Sequence, residues 1–99
     1  MTTIDVGKYG ANLLDRERAV RVREYIEERV GGDASVELDF ARVVSLTPSF
    51  ADECFGVLVE QLANEPERPT IRLVNTSPDV RAVLRFALAR RLELARASA

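Results

Sequence analysis

Residues 36–58 read VELDFARVVSLTPSFADECFGVL, and the spacing of their apolar residues changes partway along. Val36, Leu38 and Phe40 alternate with Glu37 and Asp39, which is the two-residue period of a strand. Further on, apolar positions return at helical spacing. Phe50, Cys54, Val57, Leu58 and Gln61 fall close together on a helix running from Pro48 or Ser49 to Leu62 or Ala63, so most of that stripe is expected in the core. Residues 41–46 form the short link between them, with Val43, Val44 and Leu46 able to pack inward. A strand feeding a helix through so short a link is the repeating unit of an α/β fold. Glu37 and Asp39 would be costly if buried without partners. They are expected at a sheet edge, at a strand end, or beside polar groups.

Outward from this stretch the same grammar repeats. Residues 2–6, TTIDV, are β-branched and suit a short strand. Gly7 and Gly10 then mark a loop. Asn12 or Asp15 can cap the next helix, Arg16–Val30, whose Ala19, Val22, Ile26 and Val30 line one face. Arg and Glu make its solvated face, and Gly31-Gly32 stops it. NEPERP, residues 64–69, is a polar loop, and TIRLV, residues 70–74, is a strand. NTSP, residues 75–78, leads into a last helix from Asp79 to about Ala95. Val80, Val83, Leu84, Ala87, Leu88 and Leu92 are its apolar side; Arg81, Arg85, Arg90 and Arg91 are polar. Residues 96–99 are expected to fray. The order β-α-β-α-β-α predicts one small α/β domain over residues 1–99, with a mostly parallel β-sheet and right-handed α-helical crossovers. With so few strands, the helices are expected to favour one face.

The chain has 99 residues, 46% hydrophobic and 30% charged, a globular composition. A domain this short buries only about 65% of its unfolded surface, so a partner or a second copy could finish its apolar surface. The net charge is −2, and Lys8 is the only lysine against 13 arginines. So small a charge disfavours a general nucleic-acid binder. It is unevenly spread, however. Acids dominate residues 33–67, whereas five Arg stand against two acids in residues 77–99. No charged segment followed by an apolar one opens the chain, so no signal peptide is expected. No run approaches the ~20 apolar residues of a membrane span. A cytoplasmic location is the expectation.

Catalytic readings find little support. There is no histidine, which removes the commonest general base and metal ligand. Cys54 is the only cysteine; it cannot form an internal disulfide and has no imidazole to activate it. It is expected on the buried stripe as a small apolar residue. Gly31-Gly32 follows a helix rather than a strand, so it is no phosphate loop. Asp52-Glu53 and Glu27-Glu28 are adjacent in sequence, and adjacent helical side chains diverge. The expectation is a protein that is not an enzyme and has no metal and no cofactor.

The hydroxyls before the second helix carry two readings. Thr47 as N-cap with Pro48 at the first helical position is a sound start, and Ser49 with Asp52 three residues on is an alternative cap. The same place could hold a phosphate on a hydroxyl, beside free amides. The arginines Arg81, Arg85, Arg90 and Arg91 likewise read either as a solvated face suited to the helix dipole or as an anion-binding stripe.

The stretch quoted first resembles the core of STAS domains, the fold of sulfate transporters and anti-sigma factor antagonists. It is closer still to a bacterial STAS-like domain family of unknown function. An LDF strand is followed by Ser49-Phe50-Ala51-Asp52-Glu53. Upstream stands the helix start Arg16-Glu17 and downstream the strand IRLVN, so the resemblance spans roughly Ile4 to Leu92. It implies a non-catalytic regulatory protein–protein interaction domain. It places Ser49 at the phospho-acceptor position of a partner switch controlled by a kinase-like ATPase. Thr47-Pro48 stand where the pattern has Asp-Ser, and Phe50 replaces a glycine. The phospho-acceptor candidates are Ser49 and Thr47, and the partner-binding candidates are Thr47, Ser49, Asp52 and Glu53. The expected partner is a kinase-like ATPase or an anti-sigma factor-like protein, with a homodimer as a further possibility. The alternatives are a module for phosphate-rich ligands through Arg81, Arg85, Arg90 and Arg91, or a structural self-associating domain.

Overall fold

The computed structural model describes residues 2–31, 35–63, 65 and 69–97, with side chains to residue 94. Most of the 64–69 loop, Gly32 and the last two tail residues lie outside the described residues. Five strands are present among the described residues. β1 (Thr2–Asp5), β3 (Ser35–Asp39) and β5 (Thr70–Val74) form a parallel sheet in the order β1-β3-β5. β2 (Asn12–Leu13) and β4 (Ser45–Leu46) form a second, two-stranded parallel pair. The helices are α1 (Arg16–Val30), α2 (Pro48–Ala51), α3 (Val57–Ala63) and α4 (Pro78–Ala97), and a wide π-type turn, Asp52–Gly56, joins α2 to α3. The α/β class, the parallel sheet and the helical crossovers agree with the reading of the sequence.

Both crossovers step the same way across the sheet, from β1 to β3 to β5. Right-handed connections that step one way lay their helices on one face. Burial follows that rule. The cross-strand row Ile4, Leu38, Leu73 and its neighbour Val36 face the helices, and Ile4, Val36 and Leu38 are buried. The row Thr3, Glu37, Arg72 lies on the other face. β3 is therefore the central strand, and the edge location offered for its two acids does not hold. Polar partners do. Glu37 lies 3.8 Å from Arg72 on the neighbouring strand. Asp39, at the strand end, accepts hydrogen bonds from the Ala41 amide at 2.9 Å and from Asn75 at 3.0 Å. Asn75 has φ 58°, a left-handed conformation that asparagine tolerates better than most residues. That turn brings its amide back to Asp39.

The short link contains β4, which the sequence did not announce. Asn12 is consequently not a helix cap; it pairs with Ser45, whose hydroxyl donates to it at 2.7 Å. Asp15 occupies the cap position of α1 but makes no capping bond with its side chain. Leu46 and Val43 are buried as expected, whereas Val44 is 69% exposed. The Ala11 carbonyl accepts from the amides of both Val44 and Ser45. Two successive amides on one acceptor kink the strand and turn Val44 outward.

The helix start at Pro48 is as expected, and Phe50, Cys54 and Leu58 of the expected stripe are buried, but Val57 and Gln61 are not. A π-type turn holds one more residue than a regular helical turn, so it shifts the phase of everything after it. Phe55 becomes buried, Val57 is only half-buried and Gln61 is exposed. Phe55 packs edge-on to Phe40 with centroids 5.3 Å apart and sits 6.3 Å from Phe50. These three rings, with Leu38, Leu58 and Leu84, are among the largest fully buried side chains. α4 lies across this segment through Val80, Leu84 and Ala87, and extends two residues past the expected end. No helix of the described residues is long and apolar enough to cross a membrane.

Candidate functional site

The two hydroxyls before and within α2 have different fates. Thr47 is the N-cap: its Oγ1 accepts from the Phe50 amide at 3.1 Å and donates to the Leu14 carbonyl at 3.0 Å. Its single proton and its capping lone pair are both committed to the fold. Ser49 is not the cap. It is exposed, and its hydroxyl makes no hydrogen bond among the described residues. Phe50, the next residue, is fully buried. The chain thus anchors α2 on either side of Ser49 and leaves Ser49 outside.

Ser49 borders a shallow cleft of ≈ 180 Å³ lined by Pro48, Ser49, Asp52, Phe86, Ala87 and Arg90. One wall is the first turn of α2, the other the middle of α4. Asp52 holds the two together. Its carboxylate accepts from Arg91 Nε at 2.7 Å and Nη2 at 2.9 Å, and Arg91 Nη1 donates to Glu60 at 2.9 Å. The Arg91 bond holds the Asp52 carboxyl below its usual range against some desolvation, and the charges of Arg91, Arg90 and Arg16 act in the same direction. The same bonds push the Arg91 guanidinium further up. Gly56 makes the crossing possible. A Cβ there would stand 2.8 Å from Arg91 Cγ and 3.0 Å from Asp52 Oδ1.

The remaining candidates disperse. Glu53 turns toward α1, 3.6 Å from Arg23, which also pairs with Glu27 at 3.1 Å. Both acids considered for a basic partner are thus already met by arginines of the same chain. Arg91 is likewise taken, while Arg85 and Arg90 are exposed and make no ion pair among the described residues. Arg81 bonds back to Thr76 at 3.1 Å, one turn below. Cys54 is buried, and burial pushes its thiol well up, as suits a packing residue. Among the described residues no three Cys, Asp or Glu side chains gather as a metal site.

Two members of the site escaped the sequence reading. Phe86 is 64% exposed. Its signal was available: it is an aromatic residue out of phase with the apolar stripe of α4, and so falls outside the face that packs on the core. Arg16 was read only as part of a helix start, and its nearness to Asp52 depends on how α1 packs beside α2.

The model of the family described as a STAS-like domain of unknown function (DUF4325) matches residues 18–81. Comparison with curated proteins and with solved structures finds no match. The matched span contains the Ser49 wall of the cleft but stops short of Phe86, Arg90 and Arg91. It runs from the start of α1 to the first turn of α4 and covers more than half of the sequence, so the chain belongs to the STAS-like domain family.

Proposed function

We propose that this chain is a non-catalytic regulatory domain of the bacterial cytoplasm, a single domain that binds a protein partner through the surface at the start of α2. In this reading Ser49 is the switch. A kinase-like ATPase transfers the γ-phosphoryl group of ATP to it: the Oγ–P bond forms, the bond to the bridging oxygen breaks, ADP leaves, and the hydroxyl proton passes to solvent. The observation that carries the reading is the isolation of the Ser49 hydroxyl. It is exposed and unbonded among the described residues, while Thr47 and Phe50 on either side are fixed in the fold. A phosphate there would add about two negative charges to the surface and repel a partner matched to the neutral form.

The test is direct. The protein and Ser49→Ala are incubated with ATP and the candidate kinase and compared by intact mass. The expected result is one phosphate on the parent and none on the variant, with weaker partner binding by Ser49→Asp. If the parent gains no phosphate and Ser49→Asp binds as well as the parent, the switch is wrong.

A second reading, a module for phosphate-rich ligands on α4, draws support from the exposed Arg81, Arg85 and Arg90. It loses Arg91 to Asp52 and Glu60. A salt titration of DNA binding separates the two, since contacts to phosphates give a steep salt slope.

A further inference from the structure

A phosphorylated side chain needs somewhere to go, and its charge is stabilised by nearby cations with free donors. Arg90 lines the ≈ 180 Å³ cleft, and the charges of Arg91, Arg90 and Arg16 act on Asp52, which lines it too. Arg91 is consumed by Asp52 and Glu60. Arg90 lines the same cleft as Ser49, is exposed, and makes no ion pair among the described residues. Arg16 is exposed on the neighbouring helix, also without an ion pair there, and its charge reaches Asp52, as that of Arg90 does. Ser49 and Asp52 are three residues apart at the start of one helical segment, so their side chains share a face. The acid facing this place is Asp52, already neutralised by Arg91. Arg90 thus brings an unspent positive charge to the cleft where a phosphate on Ser49 would sit.

We propose that Arg90 is a built-in counter-charge for phosphoserine at position 49, and that the cleft between α2 and α4 receives the modified side chain. This rests on the switch reading above and specifies how it is read out. In the unmodified form Arg90 and the exposed ring of Phe86 are available to a partner. In the phosphorylated form the phosphate draws Arg90 onto itself, fills the cleft beside Phe86, and removes both contacts together.

The experiment installs phosphoserine at position 49 during translation, so no kinase is needed, and follows the phosphate by phosphorus NMR through a pH titration. A free phosphoserine has its second pKa near ~6, and neighbouring cations favour the dianion. The expected result is a second pKa lower by about half a unit to one unit in the parent. Arg90→Gln should return most of that shift. Arg85→Gln, equally exposed on α4 but outside the cleft, should leave it unchanged. Both positions are on the surface, and circular dichroism confirms that each variant folds. The proposal is overturned if the parent and Arg90→Gln titrate at the same pH, or if Arg85→Gln moves the pKa as much as Arg90→Gln. A protein that no kinase modifies would defeat the switch reading while leaving this titration intact. The two can therefore fail separately.

Discussion

Replacing Arg91 with methionine should loosen the joint between α4 and the segment after Thr47. Methionine keeps an apolar stem over Gly56 and deletes only the guanidinium. Three hydrogen bonds disappear, at 2.7, 2.9 and 2.9 Å. An exposed ion pair is worth about 0.2–1 kcal/mol, and breaking a fully buried one costs about 3–5 kcal/mol. This cluster lies between those limits: the side chains of Arg91, Asp52 and Glu60 are 24%, 34% and 38% exposed. The orphaned carboxylates can take up water, so a loss of about 2 kcal/mol is expected. In a domain of this size that lowers Tm by about 8–16 °C. Urea unfolding at pH 7 measures it, and a double-mutant cycle with Asp52→Asn should give a coupling of about 1 kcal/mol or more. The pH dependence gives a second check. The folded carboxyl of Asp52 titrates below its ordinary value because Arg91 binds its charged form. Its contribution is therefore complete above an unfolded pKa of roughly 3.9 and is lost as pH falls through the lower folded value. The gap between parent and Arg91→Met should shrink below about pH 4. A variant within about 0.5 kcal/mol of the parent at pH 7, or a gap that persists undiminished into strong acid, would refute the reasoning.

Three further outcomes follow from the geometry. Thr47→Ala removes the cap at the Phe50 amide and the bond to Leu14; it should cost about 1 kcal/mol by urea unfolding, and no change would deny Thr47 its capping role. Phe55→Ala should cost about 3–5 kcal/mol, whereas Gln61→Ala should stay within about 0.5 kcal/mol; equal effects would mean that the wide turn does not set the helix phase. Cys54, buried with its thiol pushed up, should resist a thiol reagent at pH 8 until denaturant is added. Prompt labelling of the native protein would contradict its burial.

The three main strands and the helix starts were legible because each rests on a local rule. Alternation sets the face of β3, and a hydroxyl before proline starts both α2 and α4. In both places the hydroxyl accepts from the amide three residues on, at Thr47–Phe50 and Ser77–Val80. What was not legible depends on contacts distant in sequence. The β2-β4 pair needs Asn12 and Ser45 to meet across 33 residues, and neither two-residue segment is long enough to show a period. The central place of β3 depends on strand order, which alternation alone does not encode. The site divides in the same way. Ser49 and the arginines were visible as residue types, but only the packing of α4 shows that Arg90 stands beside Ser49 while Arg91 does not stand free. Glycine at position 56 gave a hint of close approach, although its partner lies 35 residues away.

The wide turn at Asp52–Gly56 amounts to a surplus residue carried inside a helix. It uncouples two angular settings that a regular helix would tie together: the direction in which Ser49 points and the face that α3 lays on the sheet. Removing one residue there would swing the Ser49 end by about 100° relative to α3, carrying the hydroxyl out of the cleft and the buried Phe50 ring out of the core with it. The surplus residue is therefore what lets one helical segment seat Phe50 in the core and Ser49 at the cleft while α3 keeps its own buried face.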